Sequence, residues 1–269
     1  MSVFIVQFAF SQTILDTIFT NNGSLAVTIK EVTPDAVKFS YPNEDLINSI
    51  YKNTIFKIKY KSGRVEEFNE QSSFKEVKGG DDWEKVSITR IENELKGLFK
   101  LEEVTSKATG ATVFSNVNQV KDRAFKKLKI EAAMLGANII YIIEQQTNGV
   151  EHHYGGSNPA RTNLSGVAYS NKRPNFTEFD SIVKSKKEFK YLEKQSFGNN
   201  STEIDKNTDL SQATVKIVDI KNENGFIILK TNIADEEAET EYRVTYFDDQ
   251  KIILMYRSKK RIYNFILSR

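Results

Sequence analysis

The sequence predicts an α+β chain of several small domains, and three observations carry that prediction. Apolar residues alternate with polar ones at both ends of the chain, the pattern of strands with one buried face. A single strong helical stripe lies in the middle. Two stretches of turn-forming residues, Gly79-Gly80-Asp81-Asp82 and Asn171-Lys172-Arg173-Pro174, separate these patterns. The expected units are therefore a β-rich segment over 13–75, one helix on an antiparallel sheet over 83–171, and a β-meander over 176–269.

Ahead of them, residues 1–11 read as the remnant of a signal peptide. Val3 to Phe10 is apolar, and the small residues Ala9 and Ser11 suit a signal peptidase that leaves Gln12 as the new N-terminus. Export to the periplasm, the cell surface or the medium is the expected localisation. No other segment approaches the roughly 20 apolar residues of a transmembrane helix.

In the first unit, Leu25, Val27, Ile29 and Val32 nearly alternate, as do Val37-Lys38-Phe39-Ser40-Tyr41 and Ile55 to Tyr60. Asn22-Gly23 and Ser62-Gly63 are expected turns, because Gly and Asn tolerate positive φ. Asp16-Thr17-Ile18, Asn22-Gly23, Ile29 to Val32, Val37 to Phe39 and Ile55 to Arg64 together resemble a small β-barrel module that follows the signal peptide of Bacteroidetes exported proteins. The resemblance implies a β-barrel-like domain and no activity.

The second unit opens with strand-like Val86 to Thr89 and Leu98 to Val104. A helix follows, capped by Ser115 or Asn116, with Val117, Val120, Ala124, Leu128, Ala132 and Leu135 on one face. Its five basic and two acidic residues between Asn116 and Glu131 are expected to face water. Gly136 is placed to end it in a left-handed conformation. Ile139 to Ile143 reads as a strand buried on both faces, Glu144 to Asn163 as a polar loop, and Ser165 to Tyr169 as the last strand.

Leu98 to Gly110, Ala124 to Leu135, the turn Leu135-Gly136-Ala137-Asn138 with Ile139-Ile140, and Ser165-Gly166-Val167-Ala168-Tyr169 resemble the YbjQ/RcsF-type domain. The resemblance implies a dodecin-like fold for this unit and opens a route to oligomerisation through it. It also implies that Leu135, Gly136, Ala137 and Asn138 form a structural motif. The cysteines of that family's envelope sensor are missing here.

In the third unit, Thr214 to Ile220 and Gly225 to Lys230 flank Asn222-Glu223-Asn224-Gly225, a hairpin signal. Tyr242 to Phe247 and Ile252 to Tyr256 flank a second turn, and Ile262 to Leu267 closes a small sheet or half-barrel.

Composition narrows the chemistry. The 269 residues include no Cys and two His, so disulfides, thiol catalysis and Cys-ligated metals are excluded. With 38 basic and 36 acidic side chains, no global charge draws the protein to nucleic acid. No nucleophile elbow, phosphate-binding loop or His-Glu-x-x-His motif is present. Glu151, His152 and His153 form the one stretch with metal-ligand character, and they would need ligands from elsewhere. The expected protein is therefore a non-catalytic, cofactor-free envelope protein that binds an envelope protein or a small ligand. The alternative is a metal-binding or small-ligand-binding oligomer using the loop Glu151–Tyr154.

Overall fold

The structure is a computed structural model. It describes residues 14–20, 23–68, 74–153, 156–198, 200–209, 213–233, 240–258 and 260–269, without the side chains of 152 and 153. Strands make up 53 % of the chain, helices are few, and the class is broadly α+β with several sheets. Two compact units emerge, 1–73 and 74–269. The expected signal peptide, residues 1–11, lies outside the described residues.

The first unit is an antiparallel sheet of β1(Asp16–Thr20), β2(Gly23–Val32), β3(Ala36–Ser40), β4(Asn48–Tyr51), β5(Ile55–Lys59) and β6(Val65–Glu67), in the order β4-β3-β2-β1-β5-β6. Among the described residues β4 and β6 are its edges. Alternation works as the sequence predicts: Ile18, Val27, Val37, Phe39, Ile55 and Ile58 form one buried cluster. Asp16 is buried as well. Its Oδ1 accepts the Lys61 N–H at 2.7 Å and its Oδ2 the Ile29 N–H at 2.9 Å, so one carboxylate ties three segments together.

The second unit contains β7(Ser87–Thr89), β8(Phe99–Thr109), α1(Val117–Met134), β9(Ile139–Asn148), β10(Glu151–His153), β11(Gly156–Asn158) and β12(Arg161–Ser170). Four of these strands form a sheet in the order β7-β9-β12-β8. It is mixed rather than wholly antiparallel, because β7 adds to the free edge of β9 in parallel, pairing Ser87 with Ile139. The expected polar loop Glu144–Asn163 is also corrected. β9 and β12 run on as a paired hairpin, and the ribbon β10–β11 fills the rest. Polar side chains there reflect an open sheet face, not the absence of a strand. Ile143 is exposed, so β9 is not buried on both faces throughout.

Asn116 caps α1 by accepting the N–H groups of Asn118 at 2.8 Å and Gln119 at 3.4 Å. Val120, Ala124, Leu128 and Ala132 bury against the sheet. Gly136 follows at φ +79°, where a Cβ would meet the Thr245 carbonyl oxygen at 3.1 Å. The expectation that the charged face of α1 meets water fails for Lys127 and Glu131, which are both buried. A second layer covers that side of the helix.

That layer consists of α2(Phe176–Ser185), β13(Glu188–Gly198), β14(Asp205–Asn207), β15(Thr214–Glu223), β16(Phe226–Asn232), β17(Thr240–Phe247), β18(Lys251–Ser258) and β19(Arg261–Ser268). The strands run in the order β14-β13-β15-β16-β17-β18-β19, and β13 also pairs with β19, so six strands close into a ring. The sequence had suggested a half-barrel because neither α2 nor β13 was foreseen. Phe179, Ile182 and Val183 of α2 pack with Phe189, Tyr191, Tyr242, Leu254 and Phe265 as the ring core. The predicted boundary near 171–176 falls inside this compact unit. Met134 and Leu135 of α1 share a core with Phe197, Met255 and Ile262 of the ring.

Candidate functional site

Two charged clusters lie between the four-stranded sheet and the ring, and their chemistry differs. The first is balanced. Arg243, from β17, donates to Glu102 Oε1 at 2.7 Å and to the Leu135 carbonyl at 3.2 Å. Arg257, from β18, donates to Glu102 Oε2 at 3.1 Å and to Glu131 Oε1 at 2.9 Å. Burial pushes the Glu131 carboxyl above its ordinary value, and Arg257 pulls it back. Burial also lowers Arg243, and Glu102 opposes it. Two cations face two anions, so this cluster joins β8 and α1 to the ring and leaves no charge for a ligand.

The second cluster is unbalanced. A cleft of about 670 Å³ opens where the end of β8, the middle of α1, residues 198 and 200–202, and the start of β19 meet. Lys107, Arg123, Lys127, Lys260 and Arg261 line it, with Thr109, Asn200, Ser201 and Thr202 and without a carboxylate. The local fold explains the arrangement. β8 is an edge strand, and two side chains of α1 reach over to its carbonyls. Lys127 Nζ donates to the Lys107 carbonyl at 2.9 Å, and Arg123 Nη2 donates to the Thr109 carbonyl at 3.1 Å. Burial, with the Arg123 charge adding to it, holds the Lys127 ammonium below the ordinary lysine value. Arg261 is anchored from the other wall by Ser196 Oγ at 3.2 Å and by Asp205, 3.8 Å away. Among the described residues, Lys107, Arg123 and Lys260 are in no ion pair.

Such a site attracts anions. The volume lies within the usual small-ligand range of about 300–1,000 Å³. Among its described lining residues there is neither an imidazole nor a carboxylate.

The residues singled out in the sequence fall elsewhere. Glu151 and His153 end the strand β10, pairing with Asn158 and Gly156, while His152 pairs with Ser157. Glu151 accepts a hydrogen bond from Asn148 at 3.1 Å. The imidazoles of His152 and His153 and all of Tyr154 lie outside the described residues. Among the described residues no group of three His, Asp or Glu side chains could hold a metal ion. Leu135 ends α1, Ala137 is fully buried, and Asn138 is bonded to Asn171 through its side-chain amide, accepting the Asn171 N–H at 3.2 Å. This turn therefore serves packing.

The cleft was missed because its residues are scattered. Two signals existed: the surplus of basic residues on α1, and the run of consecutive basic residues Lys259-Lys260-Arg261 in the sequence. Only ring closure brings them together. Comparisons of the chain with family models, with curated proteins and with solved structures find no match. No helix among the described residues is long and apolar enough to cross a membrane.

Proposed function

We propose that the protein is a non-catalytic binding protein of the bacterial envelope, and that the basic cleft receives an anionic ligand. The observation that carries this reading is the set of five cationic residues around one cleft with no carboxylate among its described lining residues. The strand–helix–strand order through Gly136 supports the likeness of the central segment to YbjQ/RcsF-type domains, a dodecin-like plan. The apolar N-terminal stretch supports export.

Titration calorimetry with inorganic tripolyphosphate tests the binding. Uptake that weakens steeply with salt, and several-fold in Lys260→Ala, is the expected result. No uptake at low ionic strength overturns it. Export is tested by the mass of the protein taken from its own envelope, which should begin at Gln12.

A further inference from the structure

Beside the basic cleft lies a second, shallower depression of about 350 Å³ on the open face of the four-stranded sheet. Lys107, on the edge strand β8, borders both. Its floor follows from strand register. Ser165 pairs with Thr105 on one side and Glu144 on the other, and Asn163 pairs with Lys107 and Gln146. Two rows of side chains thus cross three strands on one face, a span of about 10 Å at the usual strand spacing. Asn163 Nδ2 donates to Gln146 Oε1 at 3.4 Å, which aligns the two amides along their row.

The chemistry of this face differs from that of the outward positions of β13 and β15. β13 presents Glu188 and Lys190 outward, and β15 presents Lys216 and Asp219. The depression offers hydroxyls and amides, which both donate and accept hydrogen bonds, and one carboxylate, which accepts them. Sugar hydroxyls, each a donor and an acceptor, match that mixture. Glu144 lies two strands away from Lys107, so a ligand's negative group would sit at the Lys107 end and its neutral hydroxyls at the Glu144 end.

We propose that the ligand is an anionic saccharide, with its phosphate, sulfate or carboxylate groups in the basic cleft and its sugar ring across Thr105, Asn163 and Gln146. This rests on the reading of the cleft as an anion site, and the test separates the two. Calorimetry on the full chain would use a sulfated heparin disaccharide, inorganic tripolyphosphate and unsulfated cellobiose. Gln146→Ala with Asn163→Ala should lower the affinity for the heparin disaccharide about tenfold and leave tripolyphosphate unchanged, at about one net hydrogen bond per amide. Gln146→Ala alone, an exposed single change, should give part of that loss. Lys260→Ala should weaken both anions, and cellobiose should bind far more weakly than its charged counterpart. Unchanged disaccharide affinity in the double variant overturns the saccharide proposal while tripolyphosphate binding keeps the cleft reading. Cellobiose binding as tight as the heparin disaccharide also overturns it. Failure of both anions to bind overturns the cleft itself.

Discussion

The two charged clusters of residues 74–269 sit on the same elements, α1 and β8, yet they have opposite character. Around Glu102 and Glu131 every guanidinium meets a carboxylate. Around the cleft Lys127 donates to the Lys107 carbonyl, Arg123 donates to the Thr109 carbonyl, and Asp205 lies 3.8 Å from Arg261. Compensated charge costs desolvation and returns it in hydrogen bonds, so it serves the fold. Cations gathered around a cleft with no carboxylate among its described lining residues repel one another, which costs stability. The contrast separates structure from function in a chain whose overall charge is nearly neutral.

Breaking the balanced cluster should have the largest effect. Glu102→Ala leaves the buried Arg243 without its carboxylate and should destabilise by about 3–5 kcal/mol in urea unfolding. Any anion affinity measured on the folded fraction should stay unchanged. Gly136→Ala comes next. At φ +79°, with the Thr245 carbonyl 3.1 Å from the new Cβ, it should cost about 1–3 kcal/mol and likewise spare the cleft. A cleft variant should do the reverse. Lys127→Met removes a buried cation, so it should leave stability at pH 7 unchanged or raise it by about 1 kcal/mol, while anion affinity falls.

The pH dependence sharpens the same contrast. Lys127 binds its proton less well folded than unfolded. Its charged form therefore opposes folding at neutral pH. That penalty fades as pH rises through the depressed folded value toward the ordinary lysine value of 10.5. Over that alkaline window the wild-type protein should gain stability relative to Lys127→Met, and unfolding curves that move in parallel would contradict this. Lys260→Ala should have the smallest effect on stability, within about 0.5 kcal/mol, and be seen mainly in binding.

Local order was legible in the sequence. Asn116, the apolar stripe of α1 and the stop at Gly136 all follow from short-range rules, and the hairpin at Asn224-Gly225 forms with both residues at positive φ. Alternation also predicted the buried face of the first unit. What escaped was order set by distant partners. Burial of Lys127 and Glu131 depends on a ring that α1 alone does not announce. β7 reads the same whether it pairs parallel or antiparallel. β13 carries Glu188, Lys190, Glu193 and Lys194 among its apolar positions, and its length becomes evident only against β19. The basic cleft belongs to this second kind of information, since its five cations come from three distant parts of the chain.

Closure of the ring has a kinetic consequence. Tyr191 pairs with Leu267 and Ser196 with Tyr263, about seventy positions apart, so the closing contacts are among the last that the chain can make. Until β19 docks, β13 and β18 both present an unsatisfied strand edge, and one wall of the anion cleft is missing. A nascent chain from which β19 has not yet emerged would thus be incomplete in just the region where binding is proposed.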